Sequence, residues 1–162
     1  MTDIAPVLRP ARPEDASAIA EIWYHGWRDG HLGHVPDALL AVRPRDSFDV
    51  RAADRVADTT VATVDGAIAG FVMVDRDEVD QVYVTAEHRG TGVAALLLTA
   101  AEQRVHANGH DRAWLAVVPG NTRARQFYTN RGWVDEGVFT HAAPGPTGPV
   151  PVPAHRYVKH LR

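Results

Sequence analysis

The run Arg89-Gly90-Thr91-Gly92-Val93-Ala94 puts two glycines between a strand-like stretch, Glu78 to Val84, and an amphipathic helical pattern that starts at Val93. Glycines at a strand-to-helix turn let an anion approach the backbone. The first N–H groups of a helix have no intrahelical partner, and the helix dipole places partial positive charge there. The chemistry implied is a pyrophosphate held by backbone amides. A nucleotide-binding P-loop needs Gly-Lys-Ser/Thr to close such a loop, and Val93 and Ala94 stand there instead. Gly90-Thr91-Gly92-Val93-Ala94-Ala95 satisfies a relaxed dinucleotide fingerprint, with Asp111 near the acidic distance. The context disagrees, because Asp111 falls at the start of the next strand rather than at its end. A dinucleotide oxidoreductase stays open as a minor reading.

Other groups narrow the chemistry. The chain has no cysteine, which removes disulfides, zinc–thiolate sites and a thioester acyl-enzyme. Asp75, Asp77, Glu78 and Asp80 form one acidic cluster, a candidate attractor for a cationic amine. Asp80 is two residues past Glu78 on a strand, so the two share a face. His25, His31 and His34 lack the i, i+4 spacing of a metal-binding helix face, so no metal is expected.

The elements that must position these groups follow from hydrophobic period and turn residues. Val7 to Arg9 is a short apolar stretch ended by Pro10. Pro13-Glu14-Asp15 starts a helix that carries Ala16, Ile19, Ala20, Trp23 and Trp27 at helical spacing. Gly26, Gly30 and Gly33 are expected to loosen what comes next. Pro36 to Leu40 and Arg45 to Ala57 read as short helices. Thr59 to Val64 and Ala67 to Val74 read as a hairpin around Asp65-Gly66. The Asp75-Arg76-Asp77 turn leads into Glu78 to Val84, so this part is an antiparallel meander. A helix from Val93 stops at Asn108-Gly109, and Ala113 to Val118 is then a buried strand parallel to Glu78 to Val84. Asn121 caps a helix that runs to Arg131, with Gly132 as its stop. Trp133 to Thr140 and His155 to Leu161 are final strands. Between them Ala143 to Pro153, with five of the eleven prolines, is a stiff extended excursion.

At 162 residues, 45% apolar and 23% charged, one domain over residues 1–162 is expected. A net charge of −3 argues against a nucleic-acid partner. Met1 to Arg12 has no signal-peptide core, and Val93 to Ala101 is too short to cross a membrane. The expectation is a cytoplasmic protein with no membrane partner.

The loop also resembles the acetyl-coenzyme A motif of GNAT-type N-acetyltransferases: Arg or Gln, two residues, Gly, one residue, Gly or Ala. Here those positions are Arg89, Gly92 and Ala94. Leu115-Ala116-Val117-Val118-Pro119-Gly120-Asn121 is similar to the family's second core strand and asparagine. Ala124 to Trp133, with Tyr128 and Gly132, is similar to its tyrosine-bearing helix and glycine stop. Trp27-Arg28 through Val35-Pro36-Asp37 resembles the first two helices of small bacterial members.

The resemblance implies an α+β fold: a mixed, mostly antiparallel sheet of about six to seven strands, flanked by about four helices and split between its two parallel central strands. It implies acetyl-coenzyme A as co-substrate. Its pantetheine would lie along Val82, Tyr83 and Val84, its pyrophosphate on Arg89, Gly90, Thr91, Gly92, Val93 and Ala94, with Asn121 and Tyr128 alongside. Tyr128 would be the general acid beside the thiolate, and Glu78 or Asp80 the base for the amine. Trp27, His31 and His34 would line the acceptor side. The acceptor is then a small-molecule or protein amine, and a homodimer is open. The alternative is a non-catalytic acyl-coenzyme A binding domain on the same fold.

Overall fold

The computed structural model describes residues 5–162; residues 1–4, where the segment without a signal-peptide core begins, lie outside them. Strand β1 (Val7–Pro10) is followed by a 3-10 turn over Pro13–Asp15 and helix α1 (Ala16–His31). Two short helices come next, α2 (Asp37–Ala41) and α3 (Arg45–Asp54). A meander of β2 (Thr59–Val64), β3 (Ala67–Asp75) and β4 (Glu78–Val84) leads through the glycine loop to α4 (Val93–Ala107). The chain ends with β5 (Arg112–Val117), α5 (Thr122–Asn130), β6 (Val134–Ala143) and β7 (Val150–His160).

The seven strands form one sheet in the order β1-β2-β3-β4-β5-β7-β6. All neighbours are antiparallel except β4 and β5. That parallel pair meets at a single register position, Glu78 opposite Trp114, and then diverges. Trp114 secures the junction twice on Asp77, donating its backbone N–H to the carbonyl at 3.1 Å and its ring N–H to the carboxylate at 3.2 Å. The sheet is therefore closed at Glu78 and splayed beyond it.

Each face of the sheet has its own core. Leu97, Leu98, Ala101 and Val105 of α4 pack on Val72, Val74, Val79 and Leu115, joined by Tyr128, Trp133 and Tyr157. On the other face, Ile19, Trp23 and Trp27 of α1 and Phe48 of α3 cover Val61, Phe71 and Met73. Trp23 is fully buried and meets Phe48 edge-on at 5.6 Å. Among the described residues no helix is long and apolar enough to cross a membrane.

The structure departs from the sequence reading in three places. Helix α1 runs on through Gly26 and Gly30 rather than loosening. A Cβ at Gly26 would collide with the Tyr83 ring, and one at Gly30 would sit 2.6 Å from Asn121 Nδ2. These glycines serve close approach of the helix to the sheet. The proline-rich segment is mostly strand: β6 and β7 pair as far as Ala143 opposite Val150, so only Pro144 to Pro149 forms the loop. Pro151 and Pro153 fit in β7 because β5 ends at Val117, opposite His155, so both lie past the reach of its ladder. The third departure is in β4. The β3–β4 register slips between Met73–Gln81 and Val74–Val79, which makes Asp80 the extra residue of a bulge. Val79 consequently joins the α4-side core with Val82 and Val84, and regular alternation no longer relates Glu78 to Asp80.

Candidate active site

Two cavities open along the split between β4 and β5. The larger, about 360 Å³, is walled by Val82 to Val84, by the loop residues His88, Arg89, Gly90 and Gly92, by Ala94 and Ala95 of α4, and by α5. The smaller, about 130 Å³, lies toward α1, α3 and the β6–β7 hairpin. Val82, Tyr83, Asn121, Ala124 and Tyr128 line both, so the cavities meet at these residues.

At its loop end the larger cavity has features that suit an anion. Gly90 and Gly92 hold φ of 77° and 90°, the left-handed region that disfavours a side chain. Their value lies in this turn; a Cβ at either would meet no protein atom within 4 Å. The first bond of α4 runs from Leu96 N–H to the Gly92 carbonyl at 3.1 Å, so the N–H groups of Val93, Ala94 and Ala95 lie ahead of the ladder. Thr91 turns its hydroxyl back to the His88 carbonyl and stiffens the loop. Arg89, Arg123 and Arg131 add positive charge to the walls. Arg89 is exposed and spans to Asp29 of α1 at 2.7 Å, so it also ties the loop to the helix across the groove.

At the junction, Asn121 accepts the Ala124 N–H at 3.3 Å and caps α5, while its amide nitrogen rests against Gly30. The cap aims Tyr128 two turns later into the split. Tyr128 is buried, packs on Phe127, Trp133 and Tyr157 at 5.4–6.2 Å, and its phenol is pushed above its usual value of 10 by burial. The phenol therefore stays protonated and is able to donate a hydrogen bond into the split. Tyr83 faces it across the split, also raised by burial first and by Tyr128 second. The sequence reading used only the backbone of Tyr83. Its side chain reaches the site because Gly26, lacking a Cβ, leaves room for the ring.

The smaller cavity gathers the ionisable groups. Glu78 sits at the closed end of the split and is pushed from 4.5 up to about 8, chiefly by burial and then by Asp80 and Asp75. Asp80 also reaches the cavity, but Arg55 holds its carboxylate at 2.5 Å. Glu78 is the carboxyl left without such a bond. Trp27 and His31 are stacked at 4.6 Å and line the cavity together. His31 Nδ1 lies 2.8 Å from the Trp27 carbonyl, so it carries the proton and leaves Nε2 as an acceptor. Burial lowers its pKa to about 4, keeping it neutral. His34 does not reach this cavity; it is exposed and lies against Gly120. His25 pairs with Glu21 on the outer face of α1. Of the acidic cluster, Glu78 and Asp80 line this cavity, and Arg43, Arg51 and His141 complete its wall.

The sequence profile of the Acetyltransferase (GNAT) family matches residues 18–133, and the chain belongs to that family. No curated protein sequence matches it. Among solved structures, a GCN5-related N-acetyltransferase from Rhodopseudomonas palustris is 24% identical, with a TM-score of 0.75 and 99% of each chain covered. PaiA N-acetyltransferase from Thermoplasma acidophilum, solved with coenzyme A, is 16% identical with a TM-score of 0.72, covering 98% of this chain and 100% of that one. YncA from Salmonella typhimurium, solved with its cofactor acetyl-CoA, is 16% identical with a TM-score of 0.67, covering 98% and 95%. At these identities the likeness is one of fold.

Proposed function

We propose that this protein transfers an acetyl group from acetyl-coenzyme A to a primary amine by direct attack within a ternary complex. The observation that carries the reading is the pair of cavities meeting at Tyr128. One has free helix N–H groups and arginines suited to a pyrophosphate, and the other has a proton acceptor at its closed end. The coenzyme's amides would pair with the backbone of Val82 to Val84, which β5 leaves unpaired as it diverges. The thioester would then lie at the junction. Glu78, directly or through a water, takes a proton from the ammonium; the amine nitrogen attacks the thioester carbonyl. The tetrahedral intermediate collapses, the C–S bond breaks, Tyr128 hydrogen-bonds the departing sulfur, and the second proton of the attacking nitrogen passes through Tyr128 to the thiolate. The products are an amide and free coenzyme A. Asp80 serves to hold Arg55. The coenzymes of PaiA and YncA support the choice of cofactor by analogy of fold.

The test is thermal stability with acetyl-coenzyme A, coenzyme A or NAD. A ligand at about 100 times its dissociation constant adds roughly 2.7 kcal/mol. The expected result is a rise with both coenzyme A forms and none with NAD. A rise with NAD alone overturns the reading. Coenzyme binding without turnover of any amine would make the protein an acyl-coenzyme A binding domain.

A further inference from the structure

Two guanidinium groups line the acceptor cavity, Arg43 in the connection after α2 and Arg51 on α3, and Arg55 lies just beyond α3 on Asp80. Arg55 is matched, by Asp80 at 2.5 Å and Asp58 at 2.9 Å. The other two line the cavity and have no carboxylate within ion-pair distance among the described residues. Arg43 is 7% exposed and binds only neutral carbonyls, those of Val42 at 3.2 Å and Pro144 at 2.5 Å. Arg51 lies over the Trp23 ring at 4.3 Å, with its Nη1 buried and unpartnered. A buried guanidinium without an anion is unfavourable, and two like charges side by side worsen it.

The local charges give the sign. Arg43, Arg51 and Arg55 face Asp58 and Asp80, while burial keeps Glu78 protonated below about pH 8 and His31 neutral above about pH 4. Burial also lowers the His141 pKa. Arg43 and Arg51 therefore stand without an anion of their own, beside an open cavity.

We propose that the acceptor is an amine that carries its own carboxylate, an amino acid in the simplest case, and that Arg51 with Arg43 binds that carboxylate. The inference rests on the acetyltransferase reading and names its substrate class. An amino acid would set its carboxylate against the Arg51 and Arg43 side chains that line the cavity, with its amine toward Glu78 and the thioester. The planar guanidinium suits two parallel hydrogen bonds to a carboxylate, which a plain amine or a polycation cannot offer.

The experiment compares each α-amino acid with its decarboxylated amine, for example phenylalanine with phenethylamine and leucine with 3-methylbutylamine, at saturating acetyl-coenzyme A. The expected result is kcat/KM at least about 100-fold higher for the preferred amino acid than for its partner. In Arg51→Met that ratio falls to near one, mainly through KM, and Arg51→Lys recovers part of it. Met keeps an apolar chain over Trp23, and a retained melting shift with coenzyme A shows that the variant is folded. Equal or faster turnover of the plain amines overturns the inference, as does an Arg51→Met variant whose ratio is unchanged. A coenzyme A shift without turnover of any amino acid also overturns it, while leaving coenzyme binding intact. No coenzyme A shift at all instead removes the acetyltransferase reading on which it rests.

Discussion

Replacing Glu78 by Gln separates a catalytic carboxyl from a merely buried one. In the folded protein this group is raised from 4.5 to about 8, mainly by burial. At 1.36 kcal/mol per tenfold, ionising Glu78 in place costs about 5 kcal/mol more than in the unfolded chain. The sign follows from where the protons sit. Below pH 4.5 both states are protonated and the group has no effect on the pH slope. Between 4.5 and about 8 only the folded state keeps the proton, so stability falls as pH rises. Above about 8 the loss is complete. Gln is neutral throughout and escapes that loss. Relative to its lead at pH 4, the variant should gain about 3 kcal/mol by pH 7 and about 5 kcal/mol by pH 8.5, a melting difference of order 10 °C. Activity should move the other way. A base must be ionised to act, so the wild-type rate should climb with pH toward a plateau above about 8. Glu78→Gln should lower kcat by about 10²-fold or more and flatten that profile. The assays are thermal melts from pH 4 to 9 and initial rates of free-thiol release over the same range. Parallel melting curves would refute the burial argument. An unchanged rate profile would refute the role of Glu78 as base, whatever the melts show.

Three other substitutions test the rest of the site. Tyr128→Phe should lower kcat by about 10² to 10⁴ with the coenzyme A melting shift retained, and an unchanged rate would remove the phenol from the mechanism. Gly92→Ala forces a side chain into a backbone at φ 90° and should cost about 1 kcal/mol in a denaturant melt while weakening coenzyme A binding; normal affinity would show that the turn survives without glycine. Gly26→Ala drives a methyl group into the Tyr83 ring and should destabilise by about 1–3 kcal/mol, and a neutral result in urea would mean that α1 can lift from the sheet at no cost.

What the sequence discloses is the part set by neighbours along the chain. The Asp65-Gly66 hairpin, the glycine loop and the Asn121 cap each depend on a few adjacent residues, and each lies where the spacing predicts. What it hides depends on distant partners. Gly26 and Gly30 look like helix breakers until the ring and amide packed against them are seen. Alternation puts Asp80 on one face with Glu78; a bulge, set by pairing with β3, alters that relation. Arg43 and Arg51 look like ordinary charges around a weakly patterned helix. Only the folding of α3 onto Trp23, and of Pro144 onto Arg43, turns them into cavity walls.

The bond from Arg43 to Pro144 joins positions 101 residues apart. Apart from Gly26 and Gly30, the larger cavity, proposed for the coenzyme, is drawn from one continuous stretch, Val82 to Arg131. The smaller cavity, proposed for the acceptor, borrows its outer walls from Trp27 to Arg51 and from His141 to Ala154, on either side of that stretch. Those walls are therefore a separately editable module. Exchanging the two flanking segments together, as a matched pair joined through Arg43 and Pro144, is a route to a new acceptor preference with the coenzyme groove inherited whole.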